Sequence, residues 1–209
     1  MKKYEFVKDD EICIKTGLSV KRIKALVAIP DLGVMPGDLG GYIESEKNLA
    51  HGSNAWVFDR ALVFGDARVS GDAWVFGEAR VFGEARVFGN ARVFGNARVF
   101  GNAVVHGDDS RVFGDARVFG NARVFSDARL SDRRSLISFT HAECANKTLT
   151  FYMTLTVYEA KTGLLVTYGN QFAGNINEFL SMSEANDDEK TQLENRLLIE
   201  VAVSRLGLS

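Results

Sequence analysis

Cysteine and proline are scarce in this chain. Cys13 and Cys144 are the only two cysteines, set in different segments. Two thiols so placed exclude a disulfide framework and suit a reducing compartment. The two prolines, Pro30 and Pro36, leave no Pro-rich linker. No apolar run approaches the ~20 residues that a membrane span requires. The opening stretch, MKKYEFVKDDEICIK, has no apolar segment of a secretory leader. A net charge of −2 gives no overall pull toward nucleic acid or membrane. These observations predict a soluble, cytoplasmic chain. Walker and GxGxxG loops are missing, as are a zinc motif and a nucleophile elbow. His51 and His141 show no ligand spacing with the cysteines, so neither metal nor cofactor is expected.

What the chain has in quantity is one phrase. From Ala55 to Arg133 a six-residue unit repeats thirteen times, cleanest in ARVFGNARVFGNARVFGNA. Its slots are Ala, a variable residue, Val, Phe, Gly and Asn, Asp or Glu. Ala and Val stand two apart on a β-prone backbone and so face the same way, giving each unit a short strand with one buried face. The Gly-Asx pair supplies a corner, because these residues tolerate positive φ. A strand and a corner every six residues predict a coiling parallel solenoid; a helix would accept neither the period nor the glycines.

Three units per coil would stack Phe58, Phe76, Phe94 and Phe113 on one side, and Phe64, Phe82, Phe100 and Phe119 on the next. The third side would carry Ser70, Phe88, His106 and Phe125. Rungs would lie ~4.8 Å apart. The unit beginning at Ala103 reads AVVHGDD, one residue too long. An addition within a strand would invert the buried face, so Asp108 and Asp109 belong on a protruding corner.

The flanks differ in composition and predict caps. Residues 1–54 form an N-terminal β cap with short β-like runs, a glycine-rich turn over DLGVMPGDLGGYIES and an irregular first rung at NLAHGSN. The repeat occupies residues 55–134. Residues 135–209 form a C-terminal α+β cap. KTLTFYMTLTVY and GLLVTYGN read as strands, a short helix starts at Asn175, and a longer one spans Asp187 to Leu206. Leu193, Leu197 and Val201 share one face of that helix, with Ile199, Val203 and Leu206 opposite. Contacts are therefore expected on both sides.

DLGGYIES followed by NLAHGSNAWVF and the repeat resembles the lead-in of a group of phage, prophage and enterobacterial hexapeptide-repeat proteins, including the YdcK family and proteins labelled polymer-forming. The resemblance spans roughly residues 3–133. It implies a left-handed parallel β-helix of triangular section, with one hexad per side, and no assigned activity.

Three functions compete. The first is a non-enzymatic scaffold or protein-binding module of phage type, open to self-association, with antagonism of a host factor or host defence as a specific version. Its candidate contact residues are Trp56, Leu62 and Trp74, read as the most apolar part of the outside, with Phe58 and Phe76 beside them. The second is an acyltransferase using acyl-CoA, since hexapeptide-repeat enzymes resemble this chain in period and carry a histidine base. His106 is the candidate, expected near two carboxylates. Those enzymes place Gly directly after the aliphatic slot and carry an extended loop; here Phe follows, and one residue is added. The third is nucleic-acid binding along arginine ladders, with Arg80, Arg98 and Arg117 as anion-binding candidates. The carboxylates of the last slot, Asp66, Asp72, Glu78, Glu84, Asp108, Asp115 and Asp127, are enough to pair most of the arginines, which disfavours it.

Overall fold

The computed structural model describes residues 2–14, 17–132, 135–146, 149–160, 163–168 and 171–206, with backbone alone for 137–146 and 149–154. The Arg133–Arg134 boundary of the repeat and the side chains of His141 and Cys144 lie outside the described residues.

The repeat forms a parallel β-solenoid of about five coils. Strands β1 (Tyr4–Cys13), β2 (Ser19–Ala25) and β3 (Leu39–Ile43) precede thirteen two-residue strands, β4 (Trp56–Val57) through β16 (Arg129–Leu130). Every third strand pairs in parallel register. Trp56, Trp74, Arg92, Arg111 and Arg129 align on the first side. Tyr42, Leu62, Arg80, Arg98 and Arg117 align on the second. Arg68, Arg86, Val104 and Arg123 align on the third. The Ala and Val slots point inward and are fully buried throughout, forming one continuous core. Each inward Val contributes ~1.5–3 kcal/mol by burial.

The corners explain the glycines. Gly83 has φ 74°, and a Cβ there would meet the Gly101 nitrogen at 3.0 Å in the next coil. The added residue is absorbed at a corner, because Val93 still pairs with Val112 after it and both remain buried. Ser110 occupies the Ala slot there, with its buried hydroxyl 2.6 Å from the His106 carbonyl and 2.9 Å from that of Ser126.

Only part of DLGVMPGDLGGYIES is a turn. Pro30–Leu32 is a 3-10 turn, whereas Leu39–Ile43 is β3 and joins the second side. Glycine permits that approach: a Cβ on Gly40 would lie 2.7 Å from the Val57 carbonyl oxygen. β1 and β2 extend the same sheet antiparallel, making it seven strands wide. The irregular rung is held by side chains. Leu49 bridges to Val69, and the Asn48 amide donates to the Gly65 and Ala67 carbonyls at 2.9 and 2.8 Å. His51 stacks on Tyr4 at 4.3 Å and accepts the Lys3 backbone N–H through Nδ1 at 3.1 Å.

At the other end, β17 (Leu136–Asn146), β18 (Leu149–Ala160), β19 (Gly163–Tyr168) and β20 (Phe172–Asn175) form an antiparallel sheet. One face meets the last coil. The Tyr158 hydroxyl accepts the Phe125 N–H at 3.2 Å, and the Thr167 hydroxyl donates to the Arg123 carbonyl at 3.1 Å. The other face, through Leu155, Val157 and Val166, packs on helices α1 (Ile176–Asn186) and α2 (Glu189–Leu206). Asn175 caps α1 in a reciprocal pair with Glu178, each bond 2.9 Å. The expected contacts on both sides of α2 are not made. Ile199 and Ala202 are buried, whereas Leu193, Leu197 and Val201 are exposed. The sheet offers the helix one face, so only one flank of α2 is covered. Among the described residues, no helix is long and apolar enough to cross a membrane.

Candidate functional site

The contact residues divide between interior and surface. Trp56 is fully buried, with the Tyr4 ring edge-on at 6.2 Å, and Leu62 is only 6% exposed beneath Val20 and Tyr42. Both occupy outward slots, but the N-terminal cap folds over them. The expectation that they mark an apolar outer surface is therefore overturned: they are the footing of the cap. Trp74 is half-buried with the Arg92 guanidinium 4.4 Å above its ring, a cation–π contact that covers one face of the indole. Phe58 is half-buried and packs against the core.

The Phe slot stands beside the corner, where its rings stack in columns and stay partly exposed. Phe64, Phe82, Phe100 and Phe119 lie 5.0, 5.0 and 5.5 Å apart, and Phe119 is 47% exposed. Phe76, Phe94 and Phe113 stack at 4.6 and 5.1 Å. At the head of the Phe64 column a groove of about 390 Å³ runs between Ile12 and Ile14 of the cap and Arg80 of the solenoid.

Arg80, Arg98 and Arg117 share one column of the second side, in direct register. The expected carboxylate pairing of the arginines is mostly not made. Among the described residues, the ion pairs of the rung arginines are those of Arg111 and Arg129 with Asp109, at 2.8 and 3.8 Å. In-register parallel stacking sets slot over slot, so most rung arginines have another arginine as a neighbour, and the carboxylates line the corners.

His106 lies in the ring stack of the third side, parallel to Phe88 at 4.9 Å and 6.0 Å from Phe125. The two carboxylates expected beside it are not its partners. Asp109 turns away to bind the Arg111 guanidinium through Nε and Nη2 at 2.9 and 2.8 Å. Burial, and then the charge of Arg123, hold the imidazole below its usual pKa. His106 also lines a cavity of about 320 Å³ between the third side and the β19–β20 hairpin, together with Arg123, Phe125, Thr167, Gln171 and Phe172. Sequence reasoning singled out His106 but not this cavity, because its second wall comes from a hairpin far along the chain.

Comparison with known proteins adds one match. Residues 91–107 fit the family model of the YdcK beta solenoid repeat, and no curated protein matches the chain. That match covers the coil stretch from Ala91 to the His106 corner and supports a YdcK-like β-helix for the repeat.

Proposed function

We propose that this chain is a non-enzymatic β-solenoid scaffold that acts by binding proteins, of the kind carried by phages and prophages, with antagonism of a host factor as its specific role. The observation that carries this reading is the second side. Its seven-stranded sheet sets a partly exposed Phe64–Phe82–Phe100–Phe119 stack beside the Arg80–Arg98–Arg117 column. Aromatic rings and arginines on a rigid backbone are the residue types enriched where proteins meet. They lose little entropy on binding, because stacking already orders them.

The surroundings of His106 favour a scaffold over an acyltransferase. A general base needs a group that orients its imidazole, and here the ring lies against Phe88 with a guanidinium as its charged neighbour. Light scattering behind a sizing column and a thermal melt, each with and without acyl-CoA, separate the two readings. The scaffold is expected to be indifferent to acyl-CoA. The resemblance to hexapeptide-repeat acyltransferases implies a trimer, so a trimer whose melting temperature rises with that ligand would support the enzyme, since a ligand that binds only the folded state must stabilise it. Partner capture with wild type and with a Phe100→Ser/Arg98→Glu variant then tests the face itself; a captured protein retained equally by both would remove the second side from the reading.

A further inference from the structure

The repeated coils serve as an internal control, since near-identical backbones hold the same slots. Two outward departures near the first end have a structural reason: Trp56 and Leu62 are covered by the cap. The interior unit with the most departures has no such cover. At Ala103–Asp109 the outward Arg becomes Val104, the ring becomes His106, and a residue is added. This unit flanks the cavity against β19–β20.

Each departure changes the cavity in the same direction. Val104 is the register partner of Arg123, so the guanidinium of Arg123 has no arginine on that neighbouring rung. Asp109 is drawn to Arg111 and Arg129 on the adjacent side, which leaves no carboxylate among the described residues lining the cavity. His106 replaces an apolar ring edge with nitrogen atoms. The stack also opens here, from 4.9 Å and 1° between Phe88 and His106 to 6.0 Å and 23° between His106 and Phe125. The walls are fixed to each other by the hydrogen bonds from Thr167 to the Arg123 carbonyl and from the Phe125 N–H to Tyr158.

From this coincidence of repeat departure and cavity we propose that the His106–Arg123 cavity binds a small anion borne on an aromatic ring. Arg123 takes the carboxylate or phosphate by charge-assisted hydrogen bonds, His106 and Gln171 supply further polar contacts, and the ring lies against Phe125 and Phe172. About 320 Å³ suits a single substituted ring and sits at the small end of ligand sites. This site stands on observations separate from the protein-binding face of the second side.

The test is calorimetric titration of the full chain with phenyl phosphate and with benzoate, using inorganic phosphate and benzyl alcohol as half-ligands. Saturable binding of at least one aromatic anion, tighter than either half-ligand, is expected, and the two aromatic arms distinguish phosphate from carboxylate. Arg123→Gln should weaken binding about tenfold or more, the usual loss for a hydrogen bond to a charged group. His106→Phe restores the ring that neighbouring units carry, so it should keep or raise the melting temperature while weakening the same ligand. Absence of saturable binding would overturn the proposal. So would unchanged affinity in the folded His106→Phe variant, even if Arg123→Gln did not fold.

Discussion

Asp109 grips Arg111 through two nitrogens of its guanidinium, at 2.9 and 2.8 Å, from a position that the other repeat units do not possess. The residue next to it, Ser110, bears more of the consequence. Its hydroxyl is the polar partner of two carbonyls at the widened corner, and Ser110 is fully buried. Ser110→Ala should cost about 1–3 kcal/mol by leaving buried acceptors unmet. Asp109→Ala removes two partly exposed ion pairs, with Arg111 and Arg129, and should cost about 1 kcal/mol or less for each. Urea denaturation with constant slope reads both; the opposite ranking would contradict the role given to Ser110.

Corner chemistry predicts changes of opposite sign. Ser126 holds φ 65° at a slot where most units have Gly, so Ser126→Gly should stabilise the chain by about 0.5–1 kcal/mol. Gly95 has φ 68°, with the Gly114 nitrogen 3.0 Å from where a Cβ would sit. Gly95→Ala should therefore lose about 1–2 kcal/mol or more. Thermal melts of the two variants should move in opposite directions.

The N-terminal cap is latched by Lys3. Burial lowers its pKa to about 8, and the ammonium donates to the Ser53 and Ala55 carbonyls at 2.8 and 2.6 Å. Lys3→Met should cost about 2 kcal/mol or more by stranding both acceptors. Trp56→Ala, which empties the footing of the cap, should cost about 3–5 kcal/mol. Amide exchange should show faster opening across residues 4–25 in both variants; protection unchanged there would refute the latch.

His106 gives a pH signature. Its folded pKa lies below the ordinary 6.5. Between the two values the unfolded chain binds the proton that the folded ring refuses, so stability falls as pH drops below about 6.5 and levels off past the folded value. His106→Phe should flatten that part of the curve. Denaturation midpoints measured between about pH 5 and 8 show it, and parallel curves for both proteins would contradict the assignment.

Much of the solenoid was legible because its period carries its geometry. Ala and Val two apart gave the inward face, and steps of three units gave the columns in which Phe64, Phe82, Phe100 and Phe119 stack. What escaped depends on folding across long separations. Trp56 and Leu62 read as an apolar exterior, since nothing local says that the cap will cover an outward slot. Counting charges suggested paired arginines, but register decides partners, and register sets Arg98 between Arg80 and Arg117. β17 and β20 were missed because LISFTHAECAN and FAGN lack a clean alternation and gain their pairing from β18 and β19. The cavity at His106 was out of reach for the same reason.

Among the described residues, the caps are anchored on the outermost rungs. The N-terminal one rests on Trp56 and Leu62, and the C-terminal sheet bonds to Arg123 and Phe125. Between them the coil from Ala79 to Asn96 presents the same backbone above and below. Duplicating that coil would leave both cap junctions as they are, whereas excising it would put Arg98 in the place of Arg80 in the groove beside Ile12 and Ile14. The molecule is thus a ruler graduated in whole coils, its length set by the repeat and its two ends by the caps.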